Sequence, residues 1–491
     1  MVPAFSTPRT AGILVLAFIT GCGRDESIAS KLAETPLRGV AIAAGAVGDP
    51  RLVDLLAPQR GEWMASRKAE LGLKAGATSP DEARSLDVVL YPADAIGDLV
   101  DAGALAVLSE PDLRTPSAAA LPDEKLEYDG IAPSLRDEVA RYGDERLGLP
   151  IGSSTLVLVC RREALKGAAI PATWEQLDAL ARSLNGRDLD GDGTPEAGIS
   201  LALGEDAEGV GDAIFLGRAA CLGLRPDRYS FLFDAETMSP RIASAPFVEA
   251  LRRIVGLKDV GPANMNRFDA EAARSAFREG RSALLIDRAE RAPRWTDPKR
   301  PMAVVVAPLP GSSRLFDPDK GDYENVSPPN RVNVLPGGGG WLAGVSASAT
   351  GVRREAALDL AKYLCVPETS ARLLADRSVG MSPTRLDQMD RGPRLASGVD
   401  PRTWRDAVRR SLAGPRVVPG LRVPGATAYM AELGRARATA AGGGDAEAAL
   451  SGAAAAWSRR VEKYGRQRAL WHYRRSLVAP PTSPSPPPRG T

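Results

Sequence analysis

Apolar residues in this chain fall into short continuous runs, separated by stretches in which they recur every three or four positions. The runs read as strands: "GVAIAAG" (39–45), "DVVLYP" (87–92), "STLVLVCR" (154–161), "SALLIDR" (282–288) and "MAVVVAPLP" (302–310), the last stopped by its prolines. The periodic stretches read as helices. "PRLVDLLAPQRGEWMASRKAEL" (50–71) follows the first strand, and the short "DAIGDLVDAG" follows the second. "TWEQLDALARSLNG" opens with Thr173 and carries Gln176 three residues on, a capping-box pattern. Trp174, Leu177, Leu180, Ala181 and Leu184 then share one face until Gly186 stops it. Helices are also expected over 354–364 and 446–465, and the C-terminal third is mostly helical without an internal repeat. Strands alternating with helices predict an α/β architecture with mainly parallel sheets.

Composition narrows the function. At 491 residues the chain has room for two or three domains, and its net charge of +2 gives no pull toward nucleic acid. His472 is the single histidine, which removes His-rich zinc sites and suits a packing or surface role in "ALWHYRRS". The N-terminus has Arg9, an apolar run from Ala11 to Ile19, and then Ile19-Thr20-Gly21-Cys22. That run is too short to span a bilayer and suits the core of a signal peptide. Small residues before Cys22 resemble a bacterial lipobox, so Cys22 is expected to be the lipidated mature N-terminus, with a plain secretory signal as the alternative. Cys160, Cys221 and Cys365 each lie in apolar surroundings and are expected to be buried; a Cys160–Cys221 disulfide stays open.

Three stretches carry candidate chemistry. "AAGAVG" (43–48) approximates a dinucleotide fingerprint, but a helical pattern follows where a second strand and its acid should stand. A strand-to-helix turn at a ligand cleft is the better reading. "LPGGGGWLAG" (335–344) lacks the Lys-Ser/Thr of a phosphate loop; it is either a flexible connection or a binding loop that presents Trp341. "DLDGDGTPE" places Asp188, Asp190 and Asp192 at positions 1, 3 and 5 of a calcium-type loop, Gly193 at 6, Thr194 at 7 and Glu196 at 9. Position 12 is Ile199 rather than a glutamate, and an apolar strand follows instead of a helix. Three close carboxylates repel one another, which favours a structural Ca2+ over a solvated acidic turn. Chelation is then expected to lower stability while leaving ligand affinity intact.

The ordered set of segments resembles the extracellular solute-binding proteins of ABC importers, family 1, which include many sugar-binding lipoproteins. "VAIAAGAVGDP…GEWMA" is similar to the family's first strand, ligand loop and helix, and "LDVVLYPADAIGDLVDAG" to its second strand and cleft loop. "YGDERLGLPIGSSTLVLVCRREAL" resembles the segment crossing between lobes, and "PATWEQLDALARSL" its Pro-x-Thr-Trp helix start. "FREGRSALLIDRAERAPRW", "VVVAPLPG", "GGGGWLAGVSASA" and "EAALDLAKYL" follow in the family's order, from about residue 37 to 478. The departures are Leu284-Leu285 in place of Ala-Met, an aromatic content of 5%, and the inserted acidic loop.

The resemblance implies an α/β, two-lobe periplasmic-binding-protein type II fold with a cleft between lobes and a helical C-terminal region. It divides the chain into a signal peptide (1–21), a lipidated tether (22–36), lobe 1 (37–149 and 265–347), lobe 2 (150–264 and 348–478) and a disordered tail (479–491). Candidate ligand residues are Asp49, Trp63, Asp94, Ser153, Asp287, Trp295 and Trp341, with Trp63 and Trp174 better suited to the core. The implied function is not enzymatic: an exported, lipid-anchored monomer binds a small solute, expected to be a carbohydrate, by hinge closure and passes it to ABC permease subunits. The alternative is an exported NAD-dependent oxidoreductase using residues 43–48.

Overall fold

The computed structural model describes residues 36–226, 230–300, 302–376, 379–391, 395–414 and 416–477. The signal segment, Cys22, the tether up to residue 35 and the tail from 479 lie outside the described residues. Among the described residues no helix is long and apolar enough to cross a membrane.

Two sheets organise the molecule. Their strands are β1 (Ala41–Val47), β2 (Glu70–Thr78), β3 (Val88–Pro92), β4 (Leu149–Ser153), β5 (Leu156–Arg161), β6 (Ala197–Ser200), β7 (Ser282–Arg288), β8 (Val304–Pro308) and β9 (Gly340–Val345). The first sheet has the order β2-β1-β3-β9-β4 and the second β8-β5-β7-β6. β1 runs parallel to β2 and β3, and β9 runs antiparallel to β3 and β4. β5 is antiparallel to both neighbours, and β6 is parallel to β7. The sheets are therefore mixed: the parallel pairs expected from the sequence are joined by antiparallel strands at each crossing.

The apolar runs are strands because both of their faces are covered. Leu156, Leu158, Cys160, Leu284 and Ile286 are buried in one core with the helices Trp174–Leu184 and Val210–Gly223. The intervening Val157, Val159, Leu285, Val304 and Val306 point the other way, into a core that holds Trp295 and Trp404. Thr173 and Gln176 close the expected capping box, with Gln176 N–H donating to Thr173 Oγ1 at 3.2 Å and Gln176 Oε1 accepting from Thr173 N–H. The helix over Arg51–Arg67 buries Leu52, Leu55, Leu56 and Trp63 against the first sheet. It ends three residues before β2, where Lys68 turns left-handed (φ 52°).

The helix expected over 50–71 overlaps only the first two residues of β2, and the rest of that strand was not expected from the sequence. It is an edge strand with Gly72 and Gly76 in it and mostly exposed side chains, so no apolar run marks it. The lobe boundaries also differ from those implied by the resemblance. β7 and β8 lie in the second sheet, in register with β5 (Leu158 opposite Ile286, Cys160 opposite Val305), rather than in the first lobe. The helix Gly351–Cys365 packs on β9, β4, β1 and β3 and so belongs to the first lobe, not the second. The chain returns to the second lobe later: Pro401–Leu412 packs on β8, and the helices Ala426–Ala441 and Ala446–Tyr464 cover Ala245–Val255.

Cys160, Cys221 and Cys365 are all buried and free. Burial pushes the Cys160 thiol up to about 12, so it packs as a small apolar residue. His472 is a packing residue at the seam between the last helix and the first lobe. Its Nδ1 lies 3.0 Å from the Tyr142 hydroxyl and its Nε2 3.2 Å from Asp101. Burial lowers its pKa, and Asp101 opposes that shift.

Candidate functional site

Both sheets present strand ends to the space between the lobes. From the first lobe, β1 ends at Gly48-Asp49, β3 ends at Pro92 just before Asp94, and β9 begins at Gly340-Trp341. From the second, β7 ends at Arg288, followed by Arg291 and Arg294, while the loop after β6 brings Glu208. Ser154, in the two-residue link between β4 and β5, forms the floor. Together these residues line a cleft of about 450 Å3. A site at the carboxyl ends of parallel strands is the arrangement open α/β sheets favour.

The glycine run has a steric reason. Gly337, Gly338, Gly339 and Gly340 all have positive φ (56°, 73°, 105° and 142°). A Cβ on Gly338 would sit 2.4 Å from the Asp94 nitrogen, and one on Gly340 would sit 2.1 Å from the Gly152 oxygen. The loop is thus a tight bend pressed against both the Asp94 turn and the inter-lobe crossing, with Ser154 N–H donating to the Gly339 carbonyl at 3.0 Å. It is a constrained bend at the cleft wall and not a slack connection. It starts β9 so that Trp341 stands opposite Pro92 and Gly152 at the cleft wall.

Asp49 and Asp94, predicted from their positions after strands, and Trp341, predicted from the glycines before it, are brought together in this cleft. Arg51 grips Asp49 with two bonds of 2.8 and 2.7 Å. Burial works against ionisation of Asp49, but Arg51, helped by the Trp341 indole, holds its carboxyl below the usual range. Asp94 goes the other way: burial raises its pKa, against the opposing charge of Arg288 across the cleft. Glu208 receives Arg291 Nε at 3.0 Å. Burial of Glu208 is outweighed by Arg274, Arg291 and Arg288, which keep it ionised.

Three predicted ligand residues are not at the cleft surface. Ser153 is fully buried, and its hydroxyl donates to the Pro383 carbonyl at 2.7 Å; its neighbour Ser154 faces the cleft instead. Strand alternation makes that one-residue difference decisive. Asp287 is 1% exposed and accepts from Arg274 Nε at 2.7 Å, Arg274 Nη2 at 2.9 Å and Trp295 Nε1 at 2.8 Å. Asp287 and Trp295 therefore form a buried polar node behind β7. Trp63 is core, as its helical face suggested, with Nε1 donating to Asp359 at 2.8 Å. Sequence reasoning missed Arg51, Ser154, Glu208, Arg288, Arg291 and Arg294. A signal existed for the last three in "DRAERAPR", where charges crowd the end of an apolar strand.

The other two motifs lie elsewhere. Residues 43–47 are spent inside β1, with Gly45 packed on Leu86 and Lys74, so only Gly48 is in the turn. The phosphate-cradling turn of a dinucleotide site is not formed. In the acidic loop Asp188, Asp190 and Glu196 each bring one oxygen within 4.8 Å of the others. Asp192 and Thr194 are not in that cluster; Thr194 N–H instead bonds Asp192 Oδ1 at 2.8 Å. Arg161 reaches Glu196 at 2.5 Å and Asp190 at 2.8 Å, supplying positive charge from beneath. None of these residues lines the cleft.

A family profile described as bacterial extracellular solute-binding protein matches residues 66–391. No curated protein matches the sequence. Among solved structures, the chain is similar to an ABC transporter solute-binding protein from Agrobacterium radiobacter K84 in complex with ribitol: 18% identity over 87% of this chain and 100% of that one, TM-score 0.62. It is similar to the maltose-bound MalE3 of T. maritima at 18% identity over 86% and 100%, TM-score 0.56. The maltotriose-bound MalE domain of Bdellovibrio bacteriovorus matches at 16% identity over 86% and 100%, TM-score 0.55. These likenesses carry the two-lobe fold.

Proposed function

Because the chain belongs to the bacterial extracellular solute-binding proteins, we propose that it captures a small carbohydrate in the inter-lobe cleft and delivers it to the membrane subunits of an ABC importer. The observation that carries this reading is the cleft itself: Trp341 beside the Arg51-held Asp49 on one wall, with Asp94 and Glu208 within the same 450 Å3. An indole face suits the C–H surface of a sugar, and fixed carboxylates and guanidiniums suit its hydroxyls. The solved structures named above are of proteins bound to ribitol, maltose and maltotriose, which supports the same class of ligand. Binding closes the lobes about the two-residue link at Ser154-Thr155. The function is binding and not catalysis, and Cys22 holds the protein to a bacterial membrane on its outward face as a monomer.

Titration calorimetry against a sugar and polyol panel tests the reading. At least one member should bind, with a change in tryptophan fluorescence. Trp341→Ala should weaken that binding by about tenfold or more, equivalent to at least ~1.4 kcal/mol, and should also lower the melting temperature, because the indole is only 6% exposed and packs into the core of the first lobe. A panel without any binder would remove the carbohydrate assignment.

The acidic loop is proposed as a structural calcium site, held by Asp188, Asp190 and Glu196. What supports this is the convergence of their three oxygens, a spacing that suits a cation with ligands at about 2.3–2.6 Å. Millimolar calcium should raise the melting temperature by a few degrees and EDTA should reverse it. Sugar affinity should be the same in both, since the loop is outside the cleft. An unchanged melting temperature would overturn the calcium site and leave Arg161, among the described residues, as the one cation in direct contact with the loop's carboxylates.

A further inference from the structure

We propose that the solute is an anionic sugar, one bearing a carboxylate or phosphate, and that Arg288 selects for that charge; this rests on the carbohydrate-binding reading above. Arg288 stands where the cleft meets an adjoining cavity of about 530 Å3 that runs beside the helix Ala426–Ala441, and it lines both. Its side chain is only 12% exposed, yet its Nε is buried with no hydrogen-bond partner among the described residues. One Nη donates to the Glu208 backbone carbonyl. Among the described residues the one carboxylate within 4 Å of it, Glu290, stands 3.8 Å away and already accepts from Ser154. A guanidinium presents five donors, and burying it so incompletely paired is costly unless an anion completes the set.

The rest of the wall does not cancel this charge. Asp49 is held by Arg51, and Glu208 is held by Arg291 and Arg274. Arg294, also at the cleft, reaches Glu271 at 3.9 Å and no other carboxylate among the described residues. Asp94 does face Arg288, but among the described residues no ion pair within 4 Å joins the two. Stacking surface is meanwhile scarce: Trp341 is the single tryptophan lining the cleft, and five others are fully buried. A neutral oligosaccharide would have one aromatic face to rest on. A compact sugar acid would instead gain a charge-assisted contact with the Nη groups of Arg288.

The test is calorimetry on the full chain with matched sets: glucose, glucuronate and glucose 6-phosphate, and galactose, galacturonate and galactose 6-phosphate. At least one acid form should bind tenfold or more tightly than its parent, and the carboxylate and phosphate arms distinguish the anion. Arg288→Gln should bring the acid to its parent's affinity. If that variant is unstable, Arg288→Lys, which keeps the charge but not the Nη groups, should lose at least threefold of the preference; a folded Arg288→Lys with full preference overturns the role of Arg288. Parents that bind as tightly as their acids overturn the anionic-sugar inference and leave the carbohydrate reading standing. A panel in which nothing binds overturns both.

Discussion

Asp287→Ala should destabilise the folded protein by about 3–5 kcal/mol, the usual result of stranding one partner of a buried ion pair. Arg274 is fully buried, and Asp287 takes two of its donors at 2.7 and 2.9 Å. The same carboxylate accepts the Trp295 indole N–H at 2.8 Å. Removing it leaves a guanidinium that reaches only Glu271, which is half exposed, and Glu208 at 3.4 Å. Asp287→Asn keeps one acceptor oxygen and should lose less. Urea denaturation of the two variants measures the difference. The outcome also separates two roles for this residue: a ligand contact would cost affinity at unchanged stability, whereas the node seen here costs stability first. Some loss of affinity will follow, because Glu208 is shared between Arg274 and the cleft residue Arg291.

Gly340→Ala should cost about 2–5 kcal/mol and abolish high-affinity binding. The residue sits at φ 142°, ψ −149°, a region other residues occupy only under strain. Its new methyl would lie 2.1 Å from the Gly152 oxygen and 2.8 Å from the Ser153 Cα, both backbone atoms that cannot swing aside. Relief requires parting β9 from β4, which moves Trp341 off the cleft wall and disturbs the crossing between lobes. Gly337→Ala is the control. It also has positive φ, but the nearest atom to its Cβ is the end of the Arg288 side chain at 4.0 Å. It should cost about 1–2 kcal/mol from backbone strain alone. Equal melting temperatures for the two variants would mean that the close approach at Gly340 is not a constraint on the fold.

The parts of the molecule that were legible in the sequence are those whose cause is local. Strands such as 154–161 are buried on both faces, so burial writes a continuous apolar run. The Thr173–Gln176 cap is a contact between residues three apart. Asp49 and Asp94 follow the ends of readable strands, and the four glycines before Trp341 mark a bend at positive φ that favours glycine. β2 was illegible because an edge strand with exposed faces and two glycines leaves no apolar trace. The cleft arginines were hidden for a related reason: an arginine looks the same in sequence whether it faces solvent, as Arg252 does, or fills a cleft, as Arg288 does.

By itself, then, the sequence determined most of the strands and helices and that they build an α/β chain; its resemblance to a family implied the two lobes, and the glycine run before Trp341 was left between a flexible connection and a binding loop. Only the tertiary structure decided which sheet β7 and β8 join, that Ser154 and not Ser153 faces the cleft, and that Asp287 and Trp295 satisfy Arg274 behind β7 rather than a ligand in front of it. The physical reason is that patterning reports how much of a residue is buried. Which partner buries it depends on strand pairing and on facing charges brought together from residues far apart in the chain.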